Sequence, residues 1–88
     1  MLETVKKKVI IKNKQGLHAR PAALFVQIAN KYDSSISVKK DNQTVNGKSI
    51  MGILMLAAEQ GSEIVIIARG QDAKTAILEL EQLVGQDE

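Results

Sequence analysis

The chain has 88 residues, of which 44% are hydrophobic and 25% charged, and these values predict one globular domain with a modest core. It contains no cysteine and one histidine, which excludes a disulfide framework and argues against a transition-metal site. The net charge of +2 is too small to require a nucleic acid or a membrane as partner. No apolar run approaches the roughly 20 residues of a membrane span, and the first residues lack the apolar segment of a signal peptide. We therefore expect a cytoplasmic protein.

The first predicted element is a strand from Val5 to Lys12. Val5, Val9 and Ile11 recur at even spacing and predict one buried face. The lysines at positions 6–8 are typical of a solvated strand face, with mild steering toward an acidic partner as the alternative. Residues 13–16 (Asn-Lys-Gln-Gly) follow as a polar loop.

The first helix is predicted from Ala19 to Lys31. Pro21 suits its first turn, where the missing N–H costs nothing. Apolar residues recur at steps of three and four and predict one buried stripe, made of Ala22, Phe25, Val26, Ala29 and Tyr32.

A β-hairpin is predicted next. Ile36 to Lys39 alternates apolar and polar residues, and Gln43 to Asn46 forms the returning strand with Val45 inward. Asp41 and Asn42 both tolerate positive φ and predict a two-residue turn between the strands.

Ser49 is predicted as the N-cap of a short apolar helix from Ile50 to about Glu59, with Gly61 ending it. Residues 63–69 form a nearly continuous apolar run, which predicts a central strand. Asp72 is predicted to cap a last helix, whose core stripe is Ala73, Ala76, Ile77, Leu80, Leu83 and Val84. We expect the tail, residues 86–88, to fray.

The element order is therefore β-α-β-β-α-β-α, in a single domain spanning residues 1–88. This order predicts an α+β fold, a two-layer open-faced sandwich in which a four-stranded antiparallel sheet carries three helices on one face.

His18 lies where the first strand pattern stops and the first helix pattern begins, in the segment Gly-Leu-His-Ala-Arg-Pro-Ala of residues 16–22. A lone histidine can simply be a capping or packing residue. However, free N–H groups at a helix start favour an anion, and Arg20 could add charge-assisted hydrogen bonds of about 1.5–3 kcal/mol to phosphate oxygens. No carboxylate lies near His18 in sequence, so its imidazole is better suited to attack phosphorus than to act as a general base.

Two segments resemble the motifs of one family. Residues 16–22 resemble the active-site motif of HPr, the histidine-containing phosphocarrier of the sugar phosphotransferase system. Residues 46–52 (Asn-Gly-Lys-Ser-Ile-Met-Gly) resemble the regulatory-serine motif of the same family. The resemblance covers essentially the whole sequence.

The resemblance implies that phosphorylated enzyme I transfers a phosphoryl group to Nδ1 of His18 and that a sugar-specific enzyme IIA then takes it. Arg20 would neutralise phosphate charge, and Pro21 would fix how the chain leads into the helix. The protein would be a monomeric carrier rather than an enzyme. It would need no metal or organic cofactor, bind no nucleic acid and insert in no membrane.

Ser49 has two interpretations, a plain N-cap or, as the resemblance implies, a regulatory site for the HPr kinase/phosphorylase. The helix that follows is more apolar than one buried stripe requires, which favours a docking patch. The resemblance implies that partner proteins meet Ala23, Leu24, Gln27, Ile50, Met51 and Leu54. Leu54 could equally belong to the core.

Other functions fit less well. RNA-binding modules of the ferredoxin-like class need aromatic residues on strands, whereas Phe25 and Tyr32 both fall in or next to the first helix. An acylphosphatase-like enzyme would leave the Ser49 motif without explanation. A paralogue of the nitrogen-regulating phosphotransferase branch stays open, while regulatory paralogues that have lost the histidine are excluded because His18 is present.

Overall fold

The computed structural model describes residues 2–85, and its seven elements follow the predicted order. The strands are β1 (Glu3–Ile10), β2 (Ser35–Lys40), β3 (Gln43–Asn46) and β4 (Glu63–Gly70). The helices are α1 (Ala19–Ala29), α2 (Ile50–Leu56) and α3 (Ala73–Val84).

The four strands form one sheet in the order β1-β4-β2-β3, and every neighbouring pair is antiparallel. The apolar run of β4 is a central strand, as predicted. Its residues alternate, so that Ile64, Ile66 and Ala68 are buried beneath the helices. Val65 and Ile67 point to the other face and are half-buried. The predicted open-faced sandwich is confirmed.

β1 is displaced by two residues from the predicted span of Val5 to Lys12. The backbone of Ile11 continues to bond, donating to the Ser62 carbonyl at 2.9 Å and accepting from the Gly61 N–H at 2.8 Å. These partners belong to a loop, so the regular ladder stops at Ile10. The predicted inward face is confirmed, since Val9 and Ile11 are buried and Val5 is half-buried.

α1 ends at Ala29, two residues before the predicted end at Lys31. The side-chain amide of Asn30 donates to the Val26 carbonyl at 2.9 Å and occupies an acceptor of the last turn. Tyr32, placed in the buried stripe by its spacing, is half-buried instead because its hydroxyl donates to the Glu79 carboxylate on α3.

α2 ends at Leu56 and not near Glu59, because Ala57 adopts the left-handed conformation with φ 53° and ψ 41°. The predicted terminating role of Gly61 is therefore wrong, and that glycine lies in the following turn with φ 89°. The N-cap prediction is confirmed, since the Ser49 hydroxyl accepts the Gly52 N–H at 3.1 Å.

Asp72 occupies the N-cap position of α3, but its carboxylate bonds elsewhere. It accepts the backbone N–H groups of Asp33 at 2.9 Å and Ser34 at 3.0 Å, together with the Ser34 hydroxyl. The residue therefore joins the α1–β2 loop to the start of α3 and makes no side-chain cap. The predicted fraying of residues 86–88 lies outside the described residues.

These hydrogen bonds, chiefly the one from the Ser34 hydroxyl and then that from the Asp33 N–H, lower the pKa of Asp72 below its ordinary value of 3.8. A lowered folded-state pKa contributes stability above the ordinary value, and this stability is lost as pH falls through the folded pKa. We expect Asp72→Asn to lower the free energy of unfolding at neutral pH and the deficit to shrink in acid. Urea unfolding, followed by circular dichroism from neutral pH to acid, measures the loss of stability and its dependence on pH.

Asp41→Asn is the matched control, because Asp41 lies in the hairpin turn with its side chain 87% exposed, and asparagine also tolerates its positive φ. A deficit in Asp72→Asn that stays constant from neutral to acid pH would contradict the assigned role of the carboxylate.

Candidate functional site

His18 is the N-cap residue of α1, with extended backbone angles of φ −126° and ψ 163°. Its side chain forms no capping hydrogen bond and is half-buried. The imidazole is therefore not consumed as a cap, which was the simplest alternative for a lone histidine. The predicted position at a strand-to-helix junction is confirmed.

The first turn of α1 is irregular. Ala19 has φ 50°, which is unusual for a residue with a Cβ atom. The bond from the Ala22 N–H to the His18 carbonyl is long, at 3.5 Å. The N–H groups of Ala19 and Arg20 come before that of Ala22, the first N–H that bonds within the helix, and Pro21 has no N–H to donate. The backbone beside His18 thus offers two donors to an anion.

The loop before His18 is held by the loop that follows α2. The Leu17 N–H donates to the Ala58 carbonyl at 2.8 Å, and the Leu17 side chain is fully buried. Gly16 has φ 68°, and a Cβ atom at this position would lie 2.5 Å from the Ala58 oxygen and 2.8 Å from Glu59 Cα. Only glycine meets both requirements here. The sequence indicated a close backbone approach at Gly16 but not its partner, because the contact joins segments about 40 residues apart in the chain.

Arg20 is exposed in the first turn of α1, and within residues 2–85 it forms no ion pair. Its guanidinium is therefore available to an incoming anion beside the two backbone donors. Pro21 is the third residue of α1 and so lies in the first turn, as predicted.

α1 and α2 pack side by side in opposite directions. The side chain of Asn30, after the end of α1, donates to the Lys48 carbonyl before α2 at 3.2 Å. At the other end, Ala58 bonds to Leu17, just ahead of His18. With about 1.5 Å of rise per residue, Ser49 therefore lies roughly 15 Å from His18.

The residues predicted for docking divide between these two helices. On α1, Ala23 and Gln27 are exposed and Leu24 is half-buried. On α2, Ile50, Met51 and Leu54 are 40%, 63% and 37% exposed, so Leu54 is not a core residue. Met55, which the sequence analysis missed, is 65% exposed. Met55 lies four residues after Met51, and this spacing indicates that the two side chains share one face of the helix.

The described residues 2–85 contain no helix long and apolar enough to cross a bilayer. The same range holds no group of three or more His, Cys, Asp or Glu side chains that could bind a metal ion.

Comparison with known proteins identifies the family. The family model described as "PTS HPr component phosphorylation site" matches residues 5–86. The chain belongs to the HPr family of phosphocarriers. It is 46% identical over 83 residues to the HPr-like protein Crh of Bacillus subtilis, covering 94% of this chain and 98% of that protein.

Solved structures agree with this assignment. The crystal structure of the phosphocarrier protein HPr from Bacillus anthracis superposes with a TM-score of 0.90 at 51% identity, covering 92% of this chain and 96% of that one. The crystal structure of B. subtilis Crh, described as a dimer with a swapping domain, gives a TM-score of 0.76 at 45% identity and covers 96% and 97%. The family model and the relatives named phosphocarrier protein HPr associate this family with phosphoryl transport in the phosphotransferase system.

The support of His18 can be tested at Gly16. We expect Gly16→Ala to lower the free energy of unfolding by roughly 2 kcal/mol or more, from left-handed backbone strain plus the clash with Ala58. Urea denaturation measures the loss.

Gly61→Ala is the matched control, since Gly61 has φ 89° but nothing within 4 Å of a Cβ atom. It retains the strain without the clash. Equal losses in the two variants would show that the close approach of Gly16 to Ala58 does not hold the loop.

Proposed function

We propose that the protein accepts a phosphoryl group on His18 from phosphorylated enzyme I and passes it to sugar-specific enzyme IIA. The lone pair of Nδ1 attacks phosphorus, and the new P–N bond forms as the bond between phosphorus and the histidine of enzyme I breaks. In the transfer to enzyme IIA, His18 is the leaving group: a nucleophile of enzyme IIA attacks the phosphorus, and the P–N bond to His18 breaks. No water or cofactor takes part.

The observation that carries the proposal is the state of His18 at the start of α1. Its imidazole makes no capping bond and precedes the first turn of α1, where the N–H groups of Ala19 and Arg20 have no intrahelical acceptor and, within residues 2–85, the Arg20 guanidinium forms no ion pair. These groups can offset phosphate charge while leaving it exposed to an in-line partner. A deeper cage would hold the phosphoryl group too tightly to pass on.

Partner proteins would dock on the exposed residues of α1 and α2 described above. A small apolar surface beside polar side chains suits a transient interface. Each partner would then meet His18 from the same side, which fits a carrier that serves a donor and an acceptor in turn.

Ser49 is proposed as a regulatory site for the HPr kinase/phosphorylase. A phosphate there would add about −1.5 to −2 charges. At roughly 15 Å from His18, its direct effect on the imidazole would be largely screened, since the Debye length is about 8 Å in physiological salt. It would act instead on Ile50 and Met51, which follow it on α2 and form part of the docking surface.

A role in the nitrogen-regulating branch of the phosphotransferase system is the alternative, and it would use the same chemistry at His18. A monomer suits either branch, because a carrier must expose one site to successive partners. Light scattering would detect a dimer of the kind described for B. subtilis Crh.

The first test of this function is phosphorylation in vitro. Incubation with phosphoenolpyruvate and enzyme I should add one acid-labile phosphate, because the chain has a single histidine and a phosphoramidate hydrolyses in acid. Intact-protein mass spectrometry before and after acid treatment measures it. Labelling that persists in His18→Ala would disprove the assignment, and Ser49→Ala should label like the unmodified protein.

The regulatory role of Ser49 can be separated from its structural role. We expect Ser49→Asp to weaken enzyme I binding in titration calorimetry, because it places a charge beside Ile50 and Met51. Ser49→Asn is the control, since asparagine also caps helices but carries no charge. Equal affinities for the aspartate and asparagine variants would argue against electrostatic regulation at this position.

A further inference from the structure

The three lysines at positions 6–8 do not share one face of the sheet. Lys7 lies opposite Ile66 on the helix side, and its ammonium is 3.6 Å from the Glu81 carboxylate on α3. Lys6 and Lys8 point to the open face, because side chains alternate along a strand. The lysine run thus supplies two cations to a surface that no helix covers within the described chain.

The strand register aligns these cations with others. Lys8 lies beside Val65, which lies beside Lys39 on the far side of β4. In the next row, Lys6, Ile67 and Ser37 are neighbours. The third row brings Thr4, Arg69 and Ser35 together. Lys6, Lys8 and Lys39 therefore surround two apolar side chains on the central strand.

The strands of the open face carry a net positive charge. Within residues 2–85 they present four cations, Lys6, Lys8, Lys39 and Arg69, and one carboxylate, Glu63, while Asp41 borders the face beside Lys39, and Asp33 and Asp72 border it beside Arg69. The Glu63 carboxylate is 3.9 Å from the Lys8 ammonium, with both side chains more than half exposed. Such an exposed pair contributes little and leaves the lysine free to be drawn to another anion. The whole chain has a net charge of only +2.

The centre of this face is apolar. Val65 and Ile67 are half-buried between the flanking cations. With strands about 4.8 Å apart, the face is roughly 15–20 Å wide, which suits a small, transient protein interface. An apolar centre with a charged rim is also the usual arrangement of such interfaces.

We propose that the open face of the sheet is a second interaction surface, which binds an acidic protein surface whose carboxylates surround a small apolar centre. Lys6, Lys8, Lys39 and Arg69 would pair with the carboxylates. Val65 and Ile67 would meet the apolar centre. The occupant is a protein because the surface lacks the groups that other anionic partners need.

Binding of single-stranded nucleic acid relies on aromatic side chains that stack with bases. Both aromatic residues of this chain lie elsewhere, with Phe25 in the core and Tyr32 beyond α1. Insertion into an anionic membrane requires apolar side chains that project beyond the charges. Val65 and Ile67 are instead half-buried, and the exposed apolar side chains Leu2 and Ile10 lie at opposite ends of β1 and form no common patch.

This surface does not depend on phosphoryl transfer. His18 and the proposed docking residues belong to α1, α2 and the loop before α1, whereas the cations lie on strands and face away from the helices. A partner on the sheet would leave His18 accessible, so both surfaces could be occupied at once.

The test is an NMR titration of the ¹⁵N-labelled full-length protein with a short synthetic peptide in which glutamates flank a Leu-Val pair. We expect shifts at the amides of residues 6, 8, 37, 39, 65 and 67, and binding that weakens as salt is raised. A second peptide with Ser-Ser in place of Leu-Val should bind at least about threefold more weakly.

Two charge-matched variants locate the site. The triple variant Lys6→Gln/Lys8→Gln/Lys39→Gln should weaken peptide binding by about tenfold or more. The control Lys14→Gln/Lys31→Gln/Lys74→Gln removes the same charge from the β1–α1 loop, from the loop after α1 and from α3, and its affinity should stay within about twofold of that of the unmodified protein.

Other outcomes overturn the proposal. Absence of binding, or shifts confined to residues 20–27 and 50–55, would reject the open face as the site. Tighter binding of the same face to phosphatidylglycerol vesicles or to an oligothymidine strand would reject a protein as the partner. None of these results bears on labelling at His18, so failure of the open-face proposal can be distinguished from failure of the proposed phosphoryl transfer.

Discussion

The position of His18 depends on the hydrogen bond from the Leu17 N–H to the Ala58 carbonyl, and on the close packing of Gly16 beneath it. This contact joins the β1–α1 loop to the loop after α2. The bonds between Ile11 and residues 61 and 62 fasten the same two segments a few residues away. Together they align the start of α1 with the end of α2, so His18 is supported by backbone that is distant in sequence.

The same contact fixes the relative direction of the two helices. Because the end of α2 is held next to the start of α1, the N-cap serine of α2 lies at the far end of α1. Ser49 and His18 are thereby separated by the exposed apolar side chains of α2. In the function proposed above, regulation at Ser49 and transfer at His18 would act on one partner without sharing a contact.

Most of the fold could be predicted from local pattern. Alternation identified β2, a nearly continuous apolar run identified β4, helical spacing identified α1 and α3, and the Asp41-Asn42 turn identified the hairpin. The errors occur where a distant partner decides a local conformation. The last two residues predicted for β1 belong to a loop. α2 ends early because Ala57 adopts the left-handed conformation, and the next residue, Ala58, accepts the Leu17 N–H.

The candidate site divides in the same way. His18, Arg20 and Ser49 were visible because their motifs are contiguous in sequence. The support from Ala58 and the direction of Asp72 toward the α1–β2 loop were not visible, since both rest on contacts between residues far apart in the chain. The exposure of Leu54 was also undecided by spacing, because a short helix with many apolar residues can bury more than one stripe.

The alternation of Lys6, Lys7 and Lys8 has a consequence for folding itself. A slip of β1 by one residue would turn Lys6 and Lys8 toward the core and expose Val5 and Val9. Depending on its direction, the slip would put one ammonium group at the buried position of Val9 or the half-buried position of Val5, at a cost in free energy, while the other would take the exposed position of Lys7. β1 is also an edge strand, where lysines discourage pairing with another chain. The lysines of β1 thus disfavour both a shifted strand register and pairing of this edge with another chain.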